Sequence, residues 1–313
     1  MEGNNPLEGQ VNRPGEGLET VDVASERMPP PPEIPPVVRL LDLVAEMERD
    51  AGVRHKARRT GVPFGPVTGI PSLDAEFGGA IPPGLHVVHG GPGVGKTALA
   101  LQVAGSCGCP AVYVSAEMAP IELLRRHVAR TTETYLGRLK SGEMAPETVR
   151  RLALSAAAQA ADLYLVDATM AYAPQAWIRD VARRARDKAG STHLLVVVDS
   201  MHSWAESNPD QGAEYDVVSE GCRQLRVLAA QLRCPVIALA ERNRQSAGTG
   251  GLHAARGSGK IEYGAESVLG LDAEETISEW RPVRAKFGKN RNGVAGATVR
   301  LEFHGARQAY REG

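Results

Sequence analysis

With 313 residues, 42% of them hydrophobic and 23% charged, the chain has the composition of a globular protein with room for one large domain or two modest ones. Its longest apolar runs, 194–198 and 236–240, are five residues each, against the roughly 20 a membrane-spanning helix needs; no basic patch followed by an apolar run opens the chain, so a cytoplasmic location is expected. The net charge of −1 divides unevenly, and four cysteines (Cys107, Cys109, Cys222, Cys234) supply neither a disulfide framework nor the paired spacing of a zinc site, so reduced thiols are expected.

Residues 1–36 hold seven acidic and two basic groups and eight of the 21 prolines, leaving 34 basic against 30 acidic for the rest. Few large apolar side chains and no periodicity make this segment an expected disordered, proline-rich acidic tail. The excess on the remainder is too mild to demand or exclude a nucleic-acid partner. From Val37 the pattern changes. Val37, Leu40, Leu41, Val44 and Met47 share a helical face opposite Arg39, Asp42, Glu46 and Arg49, which predicts an amphipathic helix over 37–50. A polar stretch at 55–66 containing Gly61, Pro63, Gly65 and Pro66 reads as a linker, so 37–65 is expected to be a helix-and-linker segment and 66–313 the main domain. That helix docks either in a groove of its own subunit or on a neighbouring subunit.

Beyond Val67, β-branched runs alternate with helical patterns. The predicted strands are 85–89, 111–115, 163–166, 194–199 and 235–240, and the predicted helices 97–104, 121–130, 146–160, 174–189 and 214–233. Strict alternation implies an α/β fold: a mainly parallel, twisted sheet covered by helices on both faces. Near the C-terminus two runs, 281–287 and 297–303, flank Asn292-Gly293 and Gly296, the signature of a β-hairpin.

Gly90, Gly91, Pro92, Gly93, Val94, Gly95, Lys96 and Thr97 fit G-x-x-x-x-G-K-[ST] between a strand and a helix. Glycines let successive backbone N–H groups point at phosphate oxygens, and the helix N-terminus adds partial positive charge. Lys96 then reaches the β and γ phosphates of ATP, and the Thr97 hydroxyl meets Mg²⁺. The strand ending at Asp199 supplies an anionic partner for that metal. Glu117, just past the strand 111–115, is the candidate to orient or deprotonate the attacking water, the other reading being a helix-capping acid.

Together these residues resemble the RecA-like P-loop ATPase core, and within it the C-terminal motor domain of the DnaB-type replicative helicases, over about residues 66–310. Thr68-Gly69-Ile70-Pro71-Ser72-Leu73-Asp74 with Pro83-Gly84 is similar to that family's lead-in to the phosphate loop. Val114-Ser115-Ala116-Glu117-Met118 resembles its catalytic glutamate strand, 258–266 its segment before a late core strand, and Lys289-Asn290-Arg291-Asn292-Gly293 its basic tip. The resemblance implies that Lys289 and Arg291 enter the nucleotide site of an adjacent subunit as an arginine finger does. A solvated hairpin, or one binding DNA phosphates, is the alternative for the tip. The resemblance also implies that the helix 37–50 packs on a neighbour in a ring of six. Set against that resemblance, two departures are expected: a proline-rich tail in place of the domain that engages primase in the family, and Glu241 where the family has a glutamine that senses the γ phosphate.

The stretch 242–260 contains Arg242, Arg244, Arg256 and Lys260, five glycines and no acid, which suits a single-stranded phosphate backbone; a solvated loop is the other reading. The stretch 203–216, read as a second loop, is acidic, with Glu206, Asp210, Glu214 and Asp216, and argues against DNA there. The expected function is an ATP-dependent DNA helicase, a DnaB-type ring on single-stranded DNA replicating a chromosome, plasmid or phage-like element, with a loader or other replication protein recruited through the tail. The alternatives are a RecA-like DNA-dependent ATPase without processive unwinding, and a nucleotide-gated scaffold with little turnover.

Overall fold

Val196, Val197 and Val198 are each fully buried, as β-branched residues are in a parallel strand covered on both faces. The structure, a computed structural model, describes residues 37–209, 214–241 and 264–313. The expected tail 1–36 and the cationic stretch with Arg242, Arg244, Arg256 and Lys260 lie outside the described residues. The chain divides into two units, Met1–Ala51 and Gly52–Gly313.

In chain order the elements begin with a 3-10 helix, Leu40–Leu43, and continue with α1 (Val44–Thr60), α2 (Pro71–Glu76), β1 (Gly84–Gly90), α3 (Lys96–Ser106), β2 (Ala111–Ser115), α4 (Pro120–Thr131), α5 (Leu136–Lys140) and α6 (Pro146–Gln159). Then come β3 (Leu163–Asp167), α7 (Gln175–Lys188), β4 (Leu195–Asp199), α8 (Met201–Glu206), α9 (Glu214–Leu232), β5 (Pro235–Glu241), β6 (Ser267–Ala273), β7 (Trp280–Asn290), β8 (Thr298–His304) and β9 (Ala309–Glu312). One sheet holds all nine strands in the order β3-β2-β4-β5-β1-β6-β7-β8-β9. The strands from β3 through β6 pair in parallel, and β7, β8 and β9 are added antiparallel. The expected α/β class and the hairpin of β7 with β8 are both present.

Alternate residues of the strands feed two cores. Tyr113, Leu195, Val197 and Leu239 pack with Leu99 and Val103 of α3 on one face; Val112, Val114, Val196 and Val198 pack with Ile178 of α7, Trp204 of α8 and Leu225 of α9 on the other. Each fully buried Val or Leu side chain contributes about 1.5–3 kcal/mol by leaving water. Trp204 adds a hydrogen bond from Nε1 to Ala173 O at 2.8 Å, which satisfies its buried polar end.

The predicted helix 37–50 is displaced. A short 3-10 turn precedes it, and α1 runs on to Thr60 through the stretch expected to be linker. Residues 55–60 are polar apart from Ala57, so no periodicity marks them as helical. The helix stops at Gly61, whose φ of +70° and N–H bond to Ala57 O at 2.8 Å form a glycine C-terminal cap. The apolar residues Val37, Leu40, Leu41, Val44 and Met47 are all exposed. The acidic stretch 203–216 is corrected as well. Its first residues belong to α8 and its last to α9, with 210–213 outside the described residues, because the Ser200 hydroxyl accepts the Ser203 N–H at 3.3 Å and caps a helix where no periodicity is long enough to read.

Candidate nucleotide-binding site

Parallel strands align their C-terminal ends, and the segments leaving β1, β2 and β4 share that edge. β1 runs into Gly90–Gly95 and then α3, whose first two residues are Lys96 and Thr97. Gly95, the residue that caps α3, has φ +98°. A Cβ there would lie 2.8 Å from Tyr310 Oη and 3.0 Å from Phe303 Cζ, so both backbone conformation and space demand glycine.

That crowding comes from the last strands of the sheet. Tyr310 Oη donates to Val94 O, and the Tyr310 ring stacks on Phe303 with centroids 4.7 Å apart. Gln102 of α3 donates to Tyr310 O at 3.0 Å and accepts from Tyr310 N at 2.8 Å. Arg281 donates to Gly93 O at 2.7 Å. The glycine loop is thus held from the β8–β9 side at Val94 and from β7 at Gly93. Sequence reading placed Arg281 and Phe303 only as residues of the predicted hairpin runs and passed over Gln102 and Tyr310. Contacts 188 to 216 positions apart leave no local signal.

Lys96 Nζ donates to Gly90 O at 2.9 Å and to Gly91 O at 3.3 Å, which keeps the ammonium against the loop. A Cβ built on Gly91 or Gly93 would meet nothing within 4 Å, so the loop is open at these positions. The first N–H groups of α3 have no acceptor within the helix and carry its positive dipole end. Cation, donors and open space suit a phosphate chain.

Asp199, at the end of β4, is only 3% exposed. Its carboxylate accepts the Tyr113 hydroxyl at 2.7 Å and a hydrogen bond from the Thr97 side chain. Burial lifts its pKa above the ordinary carboxylate value, against the downward pull of the Tyr113 and Thr97 bonds; the Glu117 charge raises it further, and Lys96 lowers it. The Tyr113 phenol is pushed well above its usual value, first by burial and then by the Asp199 charge. Among the described residues no cluster of three or more His, Cys, Asp or Glu could hold a metal. One carboxylate beside one hydroxyl next to a phosphate site is nevertheless a donor set suited to Mg²⁺, which completes its shell with phosphates and water.

Glu117 follows β2 across from Asp199, where Ala116 N donates to Asp199 O at 2.6 Å. Ser115 Oγ donates to Met118 O at 2.6 Å and accepts from Met118 N at 3.2 Å, a turn that carries Glu117 between them. The Glu117 side chain is exposed and accepts from Ser203 Oγ of α8 at 3.1 Å. It is not the cap of α4, which begins after Ala119 with Pro120 at its first turn; the capping reading is corrected. Glu241 ends β5 level with Gly90. Lys96, Thr97, Glu117 and Asp199 are brought together.

Lys289 and Arg291 are placed elsewhere. Lys289 pairs with Val268 near the start of β6, and Arg291 bonds Glu266 through N–H to O at 3.0 Å and through Nη1 to Oε1 at 3.1 Å. An irregularity between Val268 and Leu269 leaves Gly288 unpaired opposite them, a β-bulge. β6 runs parallel to β1, so the basic pair sits at the N-terminal edge of the sheet, away from its own chain's glycine loop.

Comparison with known proteins agrees with this geometry. The profile of the DnaB-like helicase C terminal domain family matches residues 65–312. A protein named replicative DNA helicase DnaB from Treponema pallidum (strain Nichols) is 29% identical over 271 residues, covering 84% of this chain and 59% of its own length. One of the same name from Leifsonia xyli subsp. xyli (strain CTCB07) is 28% identical over 275 residues, with 84% and 58% covered. The chain therefore spans somewhat under two thirds of these curated relatives. Among solved structures, one described as an ATPase domain superposes with a TM-score of 0.71 at 19% identity, over 85% of this chain and 98% of that one. A DnaB-like replicative helicase, described with its interactions with primase, gives 0.69 at 20% identity over 87% and 71%; these two likenesses speak to fold. With the match extending from 65 to 312 and a glycine cradle, buried aspartate and exposed glutamate at one sheet edge, the chain belongs to the DnaB-like helicase C terminal domain family and carries its RecA-like ATPase fold.

Proposed function

We propose that this chain is the ATP-hydrolysing motor of a DnaB-type ring helicase that works on single-stranded DNA in replicating a chromosome, plasmid or phage-like element. The observation that carries the reading is the convergence of Lys96, Thr97, Glu117 and Asp199 on the open glycine loop. In this reading the loop N–H groups and Lys96 bind the β and γ phosphates, and Gly95 keeps the turn tight enough for them to converge. Thr97 and Asp199 hold Mg²⁺, which when bound neutralises charge on the phosphates. Glu117, exposed and steadied by Ser203, orients a water and takes its proton as the oxygen attacks the γ phosphorus, and ADP leaves.

Lys289 and Arg291 are proposed to act in trans. Their position at the sheet edge away from the glycine loop suits a head-to-tail ring, in which one copy's basic tip meets the next copy's nucleotide. The exposed apolar residues of 37–47 supply a face for a neighbouring subunit, and six copies are proposed. Arg242, Arg244, Arg256 and Lys260 are proposed to follow the DNA backbone, and the tail 1–36 to recruit a loader or other replication protein. A cytoplasmic location goes with this role.

A second reading, DNA-dependent ATP hydrolysis without processive unwinding, is favoured by one observation: Glu241 puts a carboxylate where β5 runs level with Gly90, and its charge opposes that of a γ phosphate. ATP turnover measured with and without single-stranded DNA across protein concentration, together with unwinding of a forked duplex, tests both. Stimulation by DNA, a concentration threshold and unwinding are expected. Turnover without unwinding selects the second reading, and absence of stimulation and threshold overturns both.

A further inference from the structure

At the end of α3 away from the glycine loop, the chain passes through Cys107, Gly108, Cys109 and Pro110 into β2. Cys107 Sγ lies 3.6 Å from Cys109 Sγ and 3.2 Å from Cys109 O, to which it donates. Gly108 between them has φ +77°, and a Cβ on it would meet nothing within 4 Å; this turn brings the two sulfurs side by side. Both cysteines line a cavity of about 430 Å³ together with Gln159, Asp162 and Ser191. Cys107 is buried and Cys109 half-buried, so Cys109 is the more open of the two.

The other two thiols differ. Cys222 is buried against Met201 Sδ at 3.4 Å, and Cys234 is buried just ahead of β5. The hydrogen bond from Cys109 is the main influence lowering the Cys107 thiol below its usual pKa, while that same bond and burial drive Cys109 far upward. The contact between the two sulfurs thus favours a thiolate within the pair, and the thiolate is the form that reacts.

We propose that Cys107 and Cys109 are a redox-active pair that a small peroxide, entering through the cavity, converts to an intrachain disulfide. The Cys107 thiolate attacks one peroxide oxygen; the O–O bond breaks, Cys107 becomes a sulfenic acid, and the departing hydroxide takes a proton to leave as water. The Cys109 sulfur then displaces the hydroxyl from Cys107, forming the S–S bond and releasing a second water. Two thiols lose two electrons and two protons, and one peroxide is reduced to two waters. The sulfurs close from 3.6 Å to about 2.0 Å. Because the pair lies at the far end of α3 from Lys96, its oxidation is chemically separate from ATP hydrolysis.

The test uses the full chain with no ligand. The protein is treated with a small excess of hydrogen peroxide, alkylated under denaturing conditions, digested with trypsin and mapped by mass. Residues 97–125 contain no internal Lys or Arg and carry both cysteines, so the link falls within one peptide. Expected is complete loss of both alkyl groups from that peptide, a mass lower by two hydrogens, recovery with dithiothreitol, and continued alkylation of Cys222 and Cys234. The Cys109→Ser protein should instead accumulate a sulfenic acid at Cys107 that dimedone traps. Unchanged alkylation of Cys107 and Cys109 in the unsubstituted protein, a Cys109–Cys234 link, or over-oxidation of one sulfur beside a free partner overturns the proposal. None of those outcomes depends on a substituted chain folding.

Discussion

Tyr113 donates its hydroxyl to Asp199 Oδ2 at 2.7 Å from the neighbouring strand β2, so the carboxylate proposed for the metal is oriented by a group that no phosphate-binding motif includes. Tyr113→Phe leaves that buried oxygen short of a donor, at a cost of about 1–3 kcal/mol. Loss of an orienting partner of this kind typically weakens metal affinity about 10–100-fold. The Mg²⁺ concentration for half-maximal ATP turnover should therefore rise by about tenfold or more, with turnover at saturating Mg²⁺ much less affected. A titration of activity against Mg²⁺ checks it, and an unchanged midpoint refutes the role given to Tyr113.

Lys96 and Glu117 should separate binding from chemistry. Glu117→Gln keeps the size and the acceptor for Ser203 but loses the base, so hydrolysis should fall by about 10²–10⁴ while labelled ATP is still retained. Lys96→Ala removes the cation held at Gly90 O and Gly91 O and should reduce both. Phosphate release and equilibrium nucleotide binding, measured side by side, distinguish the two patterns.

Gly95→Ala and Gly91→Ala should differ sharply although both change the same loop. The first places a methyl against Tyr310 and Phe303 at φ +98°, whereas the second meets open space. Backbone strain of this type costs about 1–3 kcal/mol, before the clash is counted. A lowered melting temperature and lost nucleotide binding for Gly95→Ala, with stability near wild type for Gly91→Ala, is the expected result of thermal unfolding.

His86 should make stability depend on pH. Its ring is buried between Ser267 Oγ at 2.8 Å and Pro82 O at 2.7 Å; the carbonyl can only accept, so Nε2 carries the hydrogen and Nδ1 accepts from Ser267. Burial lowers its pKa from 6.5 to about 4. Between those values the unfolded chain binds more protons than the folded one, so stability rises with pH. The contribution is complete above pH 6.5 and is lost as pH falls to 4, a change of about 3 kcal/mol. Unfolding in denaturant across this interval should show the slope, and His86→Gln should flatten it; equal slopes in both proteins contradict the assignment.

The parts of the site that depend on local order were legible in the sequence. β2 is bounded as expected, at Ala111–Ser115, because a Val-rich run between a Gly-Cys-Pro turn and the charged Glu117 has only one good reading. The glycine loop and Asp199 were legible for the same reason: each is a short pattern next to a strand. The helices α5 and α8, at five and six residues, are shorter than two turns, so no periodicity can register. β6 carries Gly270 and Asp272, residues that disfavour strands on their own and are accommodated here by pairing with both β1 and β7. The props of the phosphate loop were beyond reach, since Tyr310 meets Val94 only once the whole sheet is assembled.

That last contact has a bearing on synthesis. The proposed phosphate loop is translated some two hundred residues before the side chains that brace it, Arg281, Phe303 and Tyr310, emerge from the ribosome. A nascent polypeptide that has released the loop but not yet β7 to β9 holds it without its support. The loop is therefore braced only once β9 has emerged, and a chain stalled before residue 310 would carry an intact signature but an unbraced loop.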